Sequence, residues 1–172
     1  MAGRTPAEAV NNFLEPLQQA RSCLTDAVIN IAGGYHPSAT PHVLLVGSGD
    51  AVPVRSASRA LSIKVSQHYR VVEAEGQVGP WKVQTAAYNY MLLDGAQEVF
   101  AYHWHPSGDP SWSHLHVYAS EFARAHFPTG RMALEEFLRL LIVEFDVTPL
   151  RVDWEEVLLR TQAAHEMWRT WA

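Results

Sequence analysis

One cysteine, Cys23, is all the thiol chemistry this 172-residue chain carries. A lone thiol excludes an intrachain disulfide and any cysteine-based zinc motif. No apolar run approaches the length a membrane helix needs, and the polar N-terminus has no signal-peptide pattern. No membrane contact is therefore expected, and the cytoplasm is the expected compartment. Basic residues are also scarce: Lys and Arg number 13 against 18 Asp and Glu, for a formal net charge of −5 with neutral histidines. That balance excludes a broad cationic surface and, with it, non-specific binding of duplex DNA. Gly47-Ser-Gly-Asp50 lacks the lysine and the following helix of a phosphate loop, and reads as a turn.

Apolar residues are plentiful at 48%. With this length they predict a single α+β domain spanning residues 1–172, whose core needs neither a disulfide nor a metal to form. Thr5-Pro-Ala-Glu8 reads as a helix start with a capping threonine, a proline in the first turn and a glutamate three residues on. Val10, Phe13, Leu14, Leu17, Leu24, Val28 and Ile31 continue that helix, kinked at Pro16, to Gly33-Gly34. Short strands follow at His42 to Val46 and Ala51 to Val54. Leu61 to Val71 alternates apolar and polar residues as a half-buried strand does. Trp81 to Leu93 and the segment after Asp94-Gly95 form a hairpin. The rest is helical: a short turn or helix from Glu121 to His126, a helix through Leu134, Leu138 and Phe145, and a last one opened by Asp153. This order predicts a curved antiparallel sheet with an N-terminal helix and C-terminal helices packed on its apolar face.

Four of the nine histidines form two His-x-His pairs, in Ala101-Tyr-His-Trp-His-Pro106 and His114-Leu-His116. Alternate residues of a strand share a face, so His103 pairs with His105, and His114 with His116, as two-pronged polar groups. An antiparallel pairing of His105 with His114 and of His103 with His116 would gather all four on one surface. Phe100, Tyr102, Trp104, Leu115 and Val117 would then face the core. A two-residue turn at Asp94-Gly95 sets Gln84 opposite His105, Ala86 opposite His103 and Tyr88 opposite Ala101. Asn89 then falls on the core face, which hints at a bulge. The same parity puts Glu98 on the core side.

Three chemistries suit such a face. Imidazole acid–base pairs can cleave a phosphoester of RNA or of a nucleotide, with His103, His105, His114 and His116 as the catalytic groups. Arg70, Lys82, His126 and Arg131 are then candidates to bind phosphate or protonate a leaving group, and Tyr88, Tyr118 or Trp112 to stack on a base. Alternatively the same four histidines ligate a divalent transition metal such as zinc. The third reading is non-enzymatic: Trp104, Trp112 and the hairpin tip bind a protein partner. The expected partners are a small phosphorylated ligand, a single-stranded RNA, or that protein. Lys64, Arg70 and Lys82 also read as plain solvated charges, and His36 and His42, beside prolines, as residues without a function in the site.

Gly79-Pro-Trp-Lys-Val83, Ala101-Tyr-His-Trp-His-Pro106, His114-Leu-His116, His126-Phe-Pro-Thr-Gly-Arg131 and Asp153-Trp-Glu-Glu156 together resemble a family of uncharacterised bacterial proteins. That resemblance covers most of the chain and implies no activity. A curved sheet whose hairpin carries Tyr-x-His and His-x-His is also similar to the small TumE-type toxins of bacterial toxin and antitoxin pairs. That likeness implies a target in RNA or a nucleotide, and a cognate protein partner. His-Leu-His-Val-Tyr118 departs from the histidine triad of nucleotide hydrolases, since a tyrosine stands where the third histidine would be.

Overall fold

A computed structural model describes residues 2–74, 79–118, 124–168 and 171, with Trp168 as backbone only. After a two-residue strand β1 (Ala2–Gly3), helix α1 runs over Pro6–Arg21. The Thr5 hydroxyl accepts from the Glu8 amide at 3.1 Å, so the predicted threonine cap forms, but the return bond differs: Glu8 Oε2 accepts from the Arg4 amide at 2.8 Å, one residue before the cap. Pro16 lies inside the helix. The expected continuation to Gly33 does not occur. Arg21 donates to the Thr25 carbonyl at 2.8 Å, the Thr25 hydroxyl accepts from the Ala27 amide at 3.1 Å, and the chain turns. The β-branched residues beyond the turn enter strand β2 (Ile29–Ala32) instead, which suits their stiff side chains.

Seven further strands complete one antiparallel sheet: β3 (His42–Val46), β4 (Val52–Pro53), β5 (Leu61–Glu73), β6 (Trp81–Asp94), β7 (Gln97–Trp104), β8 (His114–Val117) and β9 (Phe127–Pro128). Their order is β2-β3-β5-β6-β7-β8-β9, with β1 added on β6 and β4 on β5. Helices α2 (Leu134–Glu144) and α3 (Trp154–Trp168) join α1 over one face. The fold is thus the predicted α+β arrangement. Its core combines Phe13 and Leu17 of α1, Ile63, Val65 and Tyr69 of β5, Phe100 and Trp104 of β7, Phe137 and Leu141 of α2, and Leu158 of α3. The predicted turn or helix at Glu121 to His126 falls largely outside the described residues.

Two register shifts decide which side chains reach the opposite face. On β6, His68 pairs with Ala87 but Tyr69 pairs with Thr85, which leaves Ala86 as the extra residue of a bulge. Val83 and Thr85 face the core before it, and Tyr88, Tyr90 and Leu92 after it. The hint carried by Asn89 is therefore realised: Asn89 moves to the histidine face and pairs with His103. Tyr88, expected on the histidine face, is instead fully buried in the core. Its ring stacks on Tyr90 at 4.7 Å and its hydroxyl accepts from the Met132 amide at 2.8 Å. The second shift lies near the hairpin turn. Asp94 pairs with Gln97 around Gly95 (φ 58°), so the turn sits one residue later than expected, and Leu92 pairs with Phe100 while Leu93 pairs with Glu98. Val99 is the extra residue, and Glu98 leaves the core side.

Among the described residues the core also holds one carboxyl group. Glu135, in the first turn of α2, is completely buried, with no hydrogen-bond partner among the described residues outside its own backbone amide. Burial, reinforced by Glu136 and Glu166, raises its pKa from the usual carboxylate range to about 7. An unfolded Glu loses its proton near pH 4.3 and the folded one holds it to about 7, so stability falls as pH rises across that interval. Glu135→Gln removes the penalty. Its melting temperature relative to wild type should be unchanged at pH 4 and higher at pH 8, by an amount on the order of 3 kcal/mol in unfolding free energy. An equal difference at both pH values contradicts the assignment.

Candidate functional site

The sheet face away from the helices carries the histidines. As parity requires, His103, His114 and His116 share it, and Phe100, Tyr102 and Trp104 line the other side. The register differs from expectation by two residues: His103 pairs with His114, and His116 pairs with Ala101. The face is preserved and the square is not. His105 falls beyond the last pair of β7, with its ring 5.8 Å from that of His103. The compact group is His103, His114 and His116, with ring centroids 4.8–5.5 Å apart and one nitrogen from each lying within 4.8 Å of the others.

His126 completes the cluster from the segment before β9. Its exposed ring lies 4.5 Å from that of His116 and 4.9 Å from that of His114. Tyr118 stacks on His116 at 6.0 Å, nearly parallel, and the half-exposed Trp112 stands edge-on to His114 at 5.5 Å. An imidazole wall is thus flanked by two aromatic rings.

Hydrogen bonding sets which nitrogens are free. His114 Nδ1 lies 2.8 Å from the Trp112 carbonyl oxygen. A carbonyl only accepts, so Nδ1 carries the proton and Nε2 presents its lone pair. His103 Nε2 is buried and has no hydrogen-bond partner among the described residues, and neither has Asn89 Oδ1 on the strand beside it. Unpaired buried polar atoms are rare in folded proteins and cost free energy unless a ligand satisfies them. Burial, followed by repulsion from His116, His114, His105 and His126, pushes the His103 pKa down to about 4. Burial first and imidazole neighbours second also lower His105 and His116.

One carboxylate opposes this trend. The Val99 bulge turns Glu98 onto the histidine face, where it raises the pKa of His116 and hydrogen-bonds the Tyr118 hydroxyl. A carboxylate behind an imidazole is a common companion of metal-binding and catalytic histidines. Strand parity alone assigned Glu98 to the core. The bulge that corrects this left no mark in the residue pattern.

The other expected site residues disperse. Arg70 lies on the histidine face of β5, in a groove with His68 and His105 rather than among the three clustered rings. Lys82 pairs with Ala2 and Val72 near the start of β6, at the far end of that strand from Asn89. Arg131 packs its guanidinium over the core-side Trp104 at 4.0 Å and near Trp171 at 5.5 Å, a cation–π stack that takes it off the histidine face. Tyr88, as described, is a core residue. His42 is buried, with Nε2 2.6 Å from the His36 carbonyl oxygen and its ring 5.2 Å from those of His36 and Tyr69. Among the described residues no helix is long and apolar enough to cross a membrane. Comparison with protein-family models, with curated proteins and with solved structures gave no match, so the site's chemistry rests on its own geometry.

The lowered pKa of His103 has a direct readout. Its imidazole carbon-bound proton resonances should stay constant from pH 8 to pH 5.5 and shift only near pH 4. Unfolded histidine titrates near 6.5, so stability that is full above that value should be lost as pH falls from 6.5 toward 4. A His103 midpoint at 6 or above would show that the ring is solvated and unconstrained.

Proposed function

We propose that His103, His114 and His116 bind one divalent transition metal ion, zinc in the first instance, and that the protein is a metal-assisted hydrolase acting on a phosphoester. The observation that carries this reading is the buried, unpartnered Nε2 of His103 beside nitrogens of His114 and His116. Zinc–imidazole bonds of about 2.0–2.1 Å in a tetrahedron place ligand nitrogens roughly 3.3 Å apart. The nitrogens of the three rings already lie within 4.8 Å of one another, and an ion would draw them closer. Three imidazoles with one open position is the pattern of catalytic rather than purely structural zinc, and a bound ion lowers the pKa of its water toward neutrality.

The residues divide the remaining work. The Trp112 carbonyl holds the tautomer of His114, and Glu98 supports His116. His126, exposed at the rim, is placed to pass a proton to a leaving group. Metal-free acid–base catalysis is less well supported, because three of the rings on this face favour the unprotonated form. Burial and mutual repulsion hold His103, His105 and His116 in the neutral form that ligates metal.

Elemental analysis of untagged protein tests the reading. Wild type should carry close to one equivalent of metal, and His103→Ala/His114→Ala should carry less than a tenth of that while keeping its circular dichroism spectrum. Wild type that neither carries metal nor takes up added zinc, nickel or manganese refutes the centre. A Glu98→Gln variant should keep the metal but bind it about 10- to 100-fold more weakly in competition with a chelator. Unchanged affinity would remove Glu98 from the site.

A further inference from the structure

We infer that the groove beside the histidine cluster is a separate subsite for a phosphoryl group of a small substrate, held by Arg70 with His68 and His105. The inference rests on the metal-assisted reading above for what the neighbouring centre does, but the groove's own binding does not require it.

The groove exists because of the β6 bulge. His68 and Arg70 stand on β5, and His105 follows β7, so β6 lies between them. At that crossing β6 offers only Ala86 and Ala87, both nearly buried, whose methyl groups leave the space above the sheet open. Side chains from two strands that do not pair with each other therefore approach across a shallow floor, and His68 and His105 come close enough to influence each other. The resulting cavity is about 470 Å³, within the size range of small-molecule sites. Pro41 and Pro106 supply apolar walls.

Its polar groups are uncommitted. Arg70 makes no ion pair or hydrogen bond among the described residues, whereas the guanidinium groups of Arg59, Arg139, Arg151 and Arg160 all meet carboxylates. His68 likewise has no hydrogen-bond partner there, and none of the described residues lining the cavity is a carboxylate. A guanidinium presents a fixed fork of donors that matches the geometry of a phosphoryl group, and each imidazole adds a further N–H. The apolar walls suit a ring or sugar attached to that phosphate. The size of the cavity and the net charge of −5 favour one small phosphorylated molecule over a nucleic-acid strand, which needs a continuous cationic track.

His105 joins the two places. Its ring borders the groove and lies 5.8 Å from the ring of His103. A molecule whose phosphate is held by Arg70 would extend past His105 toward the three clustered imidazoles. The substrate class that fits carries two such groups: an anchoring phosphate in the groove and a scissile ester at the cluster.

Calorimetric titration of the full chain with phenyl phosphate tests this, using wild type, Arg70→Ala, Arg70→Lys and His103→Ala/His114→Ala. Arg70 is exposed on a strand, so its replacement spares the core. Arg70→Ala should weaken binding at least about tenfold, the loss of a charge-assisted hydrogen-bonded pair. Arg70→Lys, which keeps the charge and loses the fork, should fall between Arg70→Ala and wild type. The double histidine variant should bind within threefold of wild type. Equal binding by Arg70→Ala and wild type overturns the subsite, as does wild type that binds no phenyl phosphate. Binding lost only in the double histidine variant assigns the anion to the metal centre, which overturns the groove and leaves the centre standing. Binding that depends on Arg70 in a protein that takes up no metal removes the centre and keeps the groove.

Discussion

The unpaired residue at Ala86 is the constraint on which the rest of this molecule depends. A sheet with one face against helices and one against water has a strict two-residue alternation, and one extra residue in β6 reverses it partway along the strand. Before the bulge β6 gives Val83 and Thr85 to the core, and after it Tyr88, Tyr90 and Leu92. The polar cost at the switch is met inside the core, where Gln67 donates to Thr85 at 2.9 Å and accepts from Tyr90 at 2.9 Å. On the other face the same residue clears the floor between β5 and β7 and brings Asn89 beside His103.

Charge on that face is organised by exclusion. Imidazoles from β7, β8 and the segment before β9 crowd together, and desolvation together with mutual repulsion holds the inner ones neutral. Among the described residues, the carboxylate that acts on this group is Glu98, and it raises the pKa of His116 rather than that of the buried His103. A cluster built this way is poorly suited to storing protons. It is well suited to offering lone pairs, and its uncommitted nitrogens gain most from a cation among them.

What the sequence made legible was what depends on neighbours two residues apart. Each His-x-His pair lies on one face whatever the register, so the partition of His103, His114 and His116 from Phe100, Tyr102 and Trp104 followed from alternation alone. What depended on register did not. A turn displaced by one residue and two bulges moved Tyr88 into the core and Glu98 out of it, and only Asn89 hinted at either. The over-long first helix has a different cause. Ile31 fits a helical period and a strand equally well, and pairing of Ile29 to Ala32 with β3 decided in favour of the strand, with Val28 just before it. Arg131 was unreadable for a third reason, since its partners Trp104 and Trp171 are brought to it only by the tertiary fold.

Tyr88 has a consequence outside the core. Its hydroxyl holds the amide of Met132, next to the start of α2, and meets the side chain of Ser113, which immediately precedes His114. The Ser113 carbonyl in turn accepts from the Thr129 amide at 3.0 Å, close to β9 and His126. One phenol in the apolar layer thus works as a rivet through the sheet, fixing from behind the two segments that carry the outer imidazoles. The spacing of those rings is set by the packing of the helix layer, so a disturbance at α2 would be transmitted to the open face without touching a histidine.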